Sequence, residues 1–448
     1  MILLQQFGLL KHLTVMNINP VFNRITMRSR IYTILFTAII GLSLASSCDK
    51  NEVEAPSGKL TDPIQINLRS AEQEMVKTDQ SFAFAFFENV FDEESLDQDH
   101  NFMVSPLSLS MALAMTQNGA AGDTKTAMQE ALRWRDFPDD EAINDYYKKL
   151  KEALLKTDPS TSLSIANAIF TNQSVAINPG FTNTNRSYFD ATVQQVDFSN
   201  PATTSVINQW ASDNTNGLIE KVIDKTKSDD LMYLLNAIYF KGIWTTEFEV
   251  KNTTKKPFTD EEGTVQQVDM MKQKAKFNYT EDQLLQVVQL PYGNQAFSMM
   301  VLLPGEGKTL KEVLAATRQN DYWHSLKTGM REAEVDLFLP KFKTEYSKKL
   351  NEVLTKMGMG IAFTDAADFS GITDIPARIS FVKQDTYIST DESGTEAAAV
   401  TVVGMEMTSM PSAPRRVIFN AERPFIYIIQ ENSTGAILFM GAVKNFND

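Results

Sequence analysis

The sequence predicts an α+β fold in one domain over residues 64–448. Three observations carry this. Helical periodicity gathers in the N-terminal part, from Ala71 to Val90 and again from Pro106 to Leu132. Long apolar strands follow, Leu235–Trp244 in the middle of the chain and Val417–Ile429 with Ala436–Val443 at its end. Between them, Glu392–Ser409 is able to be a strand without being committed to it.

Taken in order, the chain opens on a targeting segment, residues 1–47. Arg28 and Arg30 precede an apolar run, Ile31 to Leu44, that is too short to span a bilayer comfortably. Met27 would start a conventional signal peptide, which leaves residues 1–26 as an over-long beginning. Ala45-Ser46-Ser47 then places small residues before Cys48, the only cysteine. Two readings stay open. One is a bacterial lipoprotein box with Cys48 lipidated, although Ala45 stands where Leu is commoner. The other is a plain secretory peptide with a stray cysteine. The first implies export and anchoring to a bacterial membrane, outside the cytoplasm. A lone cysteine forms no internal disulfide, so stability rests on packing. Residues 48–63 read as a tether, with Pro56, Ser57, Gly58 and Pro63. Its acidic start, Asp49 to Glu54, resembles surface-export signals of diderm bacteria.

The formal charge is -14. Residues 1–47 hold Lys11, Arg24, Arg28 and Arg30 and no acid, so the chain without them is more acidic still. That disfavours nucleic acid and anionic membrane surfaces as partners. Enzymatic readings find few parts. After the targeting segment only His100 and His324 remain, His100 in an acidic loop and His324 expected to pack beside Tyr322 and Trp323. Asp229-Asp230 and Glu261-Glu262 read as solvated loops. No glycine-rich phosphate loop appears, and the parts for a thiol protease or a common zinc site are lacking. No cofactor is expected.

In the body, Ala71–Val90 offers Phe82, Phe84, Phe86 and Phe87 to a core. Ser105-Pro106 starts the next helix with a hydroxyl cap and a proline in the first turn. Ala166–Phe170 reads as a strand, and Leu235–Trp244 as a central one. In Glu392–Ser409, side chains of a strand would alternate. Thr395, Ala397, Ala399, Thr401, Val403, Met405 and Met407 share an uncharged face, and Glu396 and Glu406 point the other way. Ala is depleted in strands, so the start of the segment leans helical or flexible. Pro411, Pro414, Arg415 and Arg416 cannot continue a central strand. An exposed apolar run of this length is an aggregation hazard, which argues that it is kept for a purpose.

Glu392-Ser393-Gly394-Thr395-Glu396-Ala397-Ala398-Ala399 resembles the reactive-loop hinge of serpins, and Phe419–Phe425 resembles their C-terminal signature. Further motifs come in that family's order. They include Ser105-Pro106-Leu107-Ser108, Leu235-Asn236-Ala237 through Trp244, Leu290-Pro291-Tyr292, Leu339-Pro340-Lys341-Phe342 and Asp368-Phe369-Ser370-Gly371. The resemblance spans about Leu68 to Val443.

It implies a single domain with three β-sheets, about nine helices and an exposed reactive loop, about residues 392–416. By the same resemblance, Ser105, Ser108 and Asn236 match a polar cluster beneath the opening of the main sheet. Gln384 stands where many members have histidine, which removes a charge switch there. Trp244, Lys341 and Glu392 match the place where loop insertion begins, and a Glu392–Lys341 ion pair is expected. The function implied is suicide inhibition of serine proteases, and by extension some cysteine proteases, by a monomer. The cleaved bond is Thr408-Ser409 when counted from Glu392, or Met407-Thr408 if the loop is one residue shorter. Met at this place favours elastase-like, chymotrypsin-like or subtilisin-like targets over trypsin. Two alternatives remain: a non-inhibitory serpin with a binding or carrier role, and a surface lipoprotein that binds glycan or nutrient.

Overall fold

Phe82, Phe86, Phe87 and Val90 are all fully buried, and their spacing puts them on one side of a helix. That apolar stripe docks helix α1 (Ser70–Asp97) against α2 (Pro106–Gln117) and the C-terminal strands. The computed structural model describes residues 61–97, 100–135, 137, 139–395 and 415–446. All of them lie in one unit, Glu54–Asp448. Cys48, the rest of the targeting segment and residues 396–414 fall outside the described residues. The hinge residues Glu396, Ala397, Ala398 and Ala399 and the candidate bond residues Met407, Thr408 and Ser409 are therefore outside them too.

α1 runs beyond the expected end at Val90. Tertiary ion pairs explain the extension: Lys348 reaches Glu94 at 2.6 Å and Glu93 at 3.2 Å, and Lys356 reaches Glu93 at 2.9 Å. α2 starts as its sequence dictates. Ser105 caps it, its hydroxyl accepting from the Ser108 amide at 3.2 Å, and Pro106 occupies a position whose amide would be unpaired anyway. The helix is buried on nearly every side, so it threads the core rather than covering it.

The other helices are α3 (Gly122–Ala131), α4 (Asp140–Thr157), α5 (Pro179–Phe189), α6 (Ala202–Asn214), α7 (Leu310–Thr317), α8 (Asn320–Gly329) and α9 (Asn351–Leu354). The described residues thus hold nine α-helices, as the family resemblance implies.

The strands, in chain order, begin with β1 (Phe102–Val104), β2 (Ser162–Asn172), β3 (Thr192–Val196), β4 (Met232–Ile243) and β5 (Thr254–Thr259). Next come β6 (Val265–Glu281), β7 (Leu285–Tyr292), β8 (Phe297–Pro304), β9 (Arg331–Pro340) and β10 (Phe342–Lys349). The last are β11 (Lys383–Thr390), β12 (Gly394–Thr395), β13 (Arg416–Asn420), β14 (Phe425–Glu431) and β15 (Ile437–Val443).

One sheet has the order β10-β11-β12-β4-β2-β3, which makes β4 central. The other two expected sheets are joined through β6. It pairs with β9 along Met270–Tyr279 and with β7 only at Asn278–Glu281, and β5 flanks its other end. Hydrogen bonds then run without a break from β1 through β15, β14, β8, β7, β6 and β9 to β13.

The strand expected over Val417–Ile429 is two, β13 and β14, which stand apart in the sheet order because β13 pairs with β9 and β14 with β8 and β15. Two further placements differ from the sequence reading. Arg416 opens β13, which lies parallel to β9 at a sheet edge, so the dibasic pair ends the connection rather than lying within it. Glu392 and Thr395, expected at the start of an exposed loop, are 7% and 2% exposed.

Candidate functional site

The hinge begins as a tight turn. Asp391 Oδ1 accepts from the Ser393 amide at 2.9 Å and the Gly394 amide at 3.3 Å. Gly394 has φ +153°, and a Cβ there would run into the Gly242 carbonyl oxygen and Ile243 Cα. Only glycine fits. The turn sends the chain back between β11 and β4, with Thr395 opposite Thr390 on one side and Gly242 on the other. β12 is antiparallel to both neighbours.

Below β12 these two neighbours are not paired with each other among the described residues. β4 pairs with β2 from Met232 to Lys241, and among the described residues its other edge pairs only at Gly242 and Ile243. β11 pairs with β10 along its whole length and, on its other edge, only at Thr390. A cavity of about 110 Å³ lies between these strands and α6, and Ser108, Asn236, Gln384, Trp210 and Phe381 are among its lining.

At the mouth, Trp244 stacks on Tyr292 with ring centres 4.5 Å apart. Tyr292 shares a 2.6 Å hydrogen bond with the Thr395 hydroxyl. The Trp244 indole donates to the Asp391 carbonyl at 3.0 Å, and its amide donates to the Ser393 carbonyl at 2.9 Å. Lys341 Nζ reaches Glu392 Oε2 at 2.9 Å, and the Thr253 hydroxyl donates to Oε1 at 2.8 Å. The Glu392 side chain is 9% exposed and that of Lys341 is 40% exposed. Burial pushes the Glu392 carboxyl up, but the bonds from Lys341 and Thr253 outweigh it and hold the group below its ordinary range. The hydrogen bond to Glu392 raises Lys341 in turn.

The floor is a second network. The Ser105 amide donates to Gln384 Oε1 at 2.9 Å, and Gln384 Nε2 donates back to the Ser105 carbonyl at 2.9 Å. The Ser105 hydroxyl donates to the Leu438 carbonyl at 2.6 Å. The Ser108 hydroxyl donates to Asn236 Oδ1, and Asn236 Nδ2 donates to Asn167 Oδ1 at 2.6 Å. Asn167 Nδ2 ends the chain on the Phe189 carbonyl at 2.7 Å. The network ties α2, β2, β4, β11 and β15 together with uncharged groups.

The six residues expected at the sheet opening thus divide between mouth and floor. Trp244 and Lys341 stand with Glu392 and Thr395, and Ser105, Ser108, Asn236 and Gln384 lie beneath. Sequence reading missed Tyr292, Thr253 and Asn167. Asn167 had a signal, since it is the polar residue of an apolar strand and stands directly opposite Asn236. Thr253 had none, because its role comes from a turn far away in sequence.

The other candidate chemistry dissolves into structure. His324 is exposed, while Trp323 is buried, 5.3 Å from Phe84, and Tyr322 is half-buried against the core. His100 meets Glu94 at 2.8 Å. Asp230 is buried rather than solvated, because it accepts from the Tyr233 hydroxyl. Among the described residues no set of three or more His, Cys, Asp or Glu side chains converges to hold a metal ion.

The comparisons with known proteins agree with this geometry. The family model "Serpin (serine protease inhibitor)" matches residues 77–446. An uncharacterized serpin-like protein of Thermococcus kodakarensis is 34% identical over 381 residues, 84% of this chain and 87% of its own. Tengpin, a thermophilic serpin solved in the native state, superposes with a TM-score of 0.75 at 32% identity, over 87% of this chain and 97% of that one. Thyroxine-binding globulin in complex with thyroxine has a TM-score of 0.73 at 30% identity, over 83% of this chain and 99% of its own. With a sheet of this order, a hinge turned into it and a family model covering almost the whole described body, this chain belongs to the serpin family of serine protease inhibitors.

Proposed function

We propose that this protein is a suicide-substrate inhibitor of serine proteases. The observation that carries the reading is the seat of Gly394-Thr395. It lies between β11 and β4, antiparallel to both, at the top of two edges that pair with no other described strand. Once the protease cleaves beyond the hinge and is held as an acyl-enzyme, the hinge strand lengthens downward from Thr395. The tethered protease is drawn along and deformed before water releases it. New ladder bonds contribute about 1 kcal/mol each, and ordering the backbone costs about 1–2 kcal/mol per residue. Burial of Val403, Met405 and Met407 and relief of strain therefore supply the drive. Ala397 and Ala399 lose almost no side-chain entropy on insertion.

A carrier role is the rival reading. The small residues of the hinge speak against it, since nothing in Thr395 to Ala399 on the inward face resists burial. The dibasic pair speaks against trypsin as target. Arg415 is paired with Glu281, its carbonyl accepts from the Glu334 amide at 2.9 Å, and Arg416 is already in β13. The bond between them is thus held in a sheet edge rather than offered to a protease cleft.

Elastase-, chymotrypsin- and subtilisin-like enzymes are the expected targets, with cleavage between Met405 and Met410. Mixed with these, the protein should give an adduct that survives SDS, and the mass of the released peptide should place the bond at Met407-Thr408 or Thr408-Ser409. Cleavage without any adduct would refute the inhibitor. A released peptide starting at Arg416 or Val417, beside a stable trypsin adduct, would overturn bond and specificity together.

A further inference from the structure

The outer face of β6, β9 and β13 carries a surface that the insertion mechanism does not use. Strand pairing sets Lys272 beside Phe338, Asp336 between Lys274 and Ile418, and Arg416 beside Glu334. Ile418 is 65% exposed although large and apolar. Phe338 is half-buried, and its ring is flanked by Lys256 Nζ at 4.7 Å and Lys272 Nζ at 5.2 Å. Glu334 serves two cations, Lys274 at 2.5 Å and Arg416 at 3.3 Å. In a chain of charge -14 this face is rich in cations around an aromatic and an aliphatic contact. Apolar anchors with a charged rim are the composition of a protein interface.

Position says which protein. Thr408 lies eight residues before Arg416, at most about 30 Å of extended chain. A protease domain of about 230 residues is roughly 40 Å across by the usual scaling of size with length. A protease gripping the proposed bond would therefore lie within reach of the surfaces around Arg416.

We infer that this face is a second docking surface for the target protease, one that fits a protease with an acidic rim beside its substrate cleft. The inference rests on the inhibitory reading above. Charge of opposite sign near the encounter site raises association rates and does so less at high salt. Ile418 and Phe338 then provide the apolar contact inside the charged rim.

The test compares two proteases, an acidic-surfaced subtilisin and a cationic pancreatic elastase, at 0.05 M and 0.3 M salt. The second-order rate of inhibition, the stoichiometry and the SDS-stable adduct are read for wild type, Lys256→Glu/Lys272→Glu, Ile418→Ala and a charge-reversal control at the exposed Lys221. The expected result is about a tenfold rate preference for the acidic protease at low salt. The double variant should abolish it and Ile418→Ala should lower the rate several-fold, with stoichiometry and adduct unchanged. Rates within twofold of wild type, with adducts still forming, would overturn the docking surface and leave the inhibitor intact. Absence of any adduct with wild type would instead overturn the inhibitory reading, and this inference with it.

Discussion

Thr395 is where the chain commits to the sheet, and its surroundings leave no room for charge. It is 2% exposed, and its hydroxyl is bonded to the buried Tyr292. A guanidinium there would have to be buried beside the Trp244–Tyr292 stack, at a cost of several kcal/mol. Thr395→Arg should therefore slow insertion, so that the protein is cleaved as a substrate without forming an adduct. Glu396→Arg, on the face expected to point outward, should keep most of the inhibition. Equal loss from the two changes would contradict the facing. Glu392 acts at the same scale. Its depressed carboxyl favours the turn above its ordinary pKa, and this contribution is lost as pH falls through its lowered folded value.

At the scale of elements, α1 and α4 meet around a half-buried acid, Asp79. Tyr146 and Tyr147 of α4 donate to the two oxygens of Asp79 at 2.8 and 2.9 Å. Burial pushes the Asp79 carboxyl up to about 7, against the pull of these hydroxyls. The folded state therefore holds its proton over a range where the unfolded chain, near its ordinary 3.8, does not. Stability from this group is full below that lower value and is lost as pH rises to about 7. Between pH 5 and pH 8 wild type should lose roughly 2–3 kcal/mol relative to Asp79→Asn, at 1.36 kcal/mol for each pH unit of the window. Urea unfolding of both proteins at the two pH values measures it. A difference that does not change with pH would show that the carboxyl titrates normally. The floor network should contribute no such dependence, because Gln384 stands where a titrating histidine would have made one.

For the whole molecule, the open question of the sequence is the anchor. If Cys48 is lipidated, the protein should sediment with membranes, and Cys48→Ser should move it to the soluble fraction. A wild-type protein that is soluble, with an unmodified mass, would leave only the secretory reading. An anchored inhibitor would guard a surface rather than a fluid. In that reading a tether of residues 48–63 would reach at most about 50 Å from the anchor.

Local chemistry was readable from sequence because its causes are local. Ser105-Pro106 dictates a helix start, and the aromatic spacing of Phe82 to Val90 dictates a buried face. The ordered motifs likewise led to the serpin family and hence to the Glu392–Lys341 pair. What only the tertiary structure decided lies in long-range register. The C-terminal turns of α1 exist because Lys348 and Lys356 meet Glu93 and Glu94. Asp230 is buried because Tyr233 folds its hydroxyl onto it, and Thr253 joins the hinge from 139 residues away. That Gly394-Thr395 already stands between β11 and β4 could not be read from its alternating pattern. The same pattern suits an exposed edge and an inserted strand equally, and only the neighbours it pairs with distinguish them.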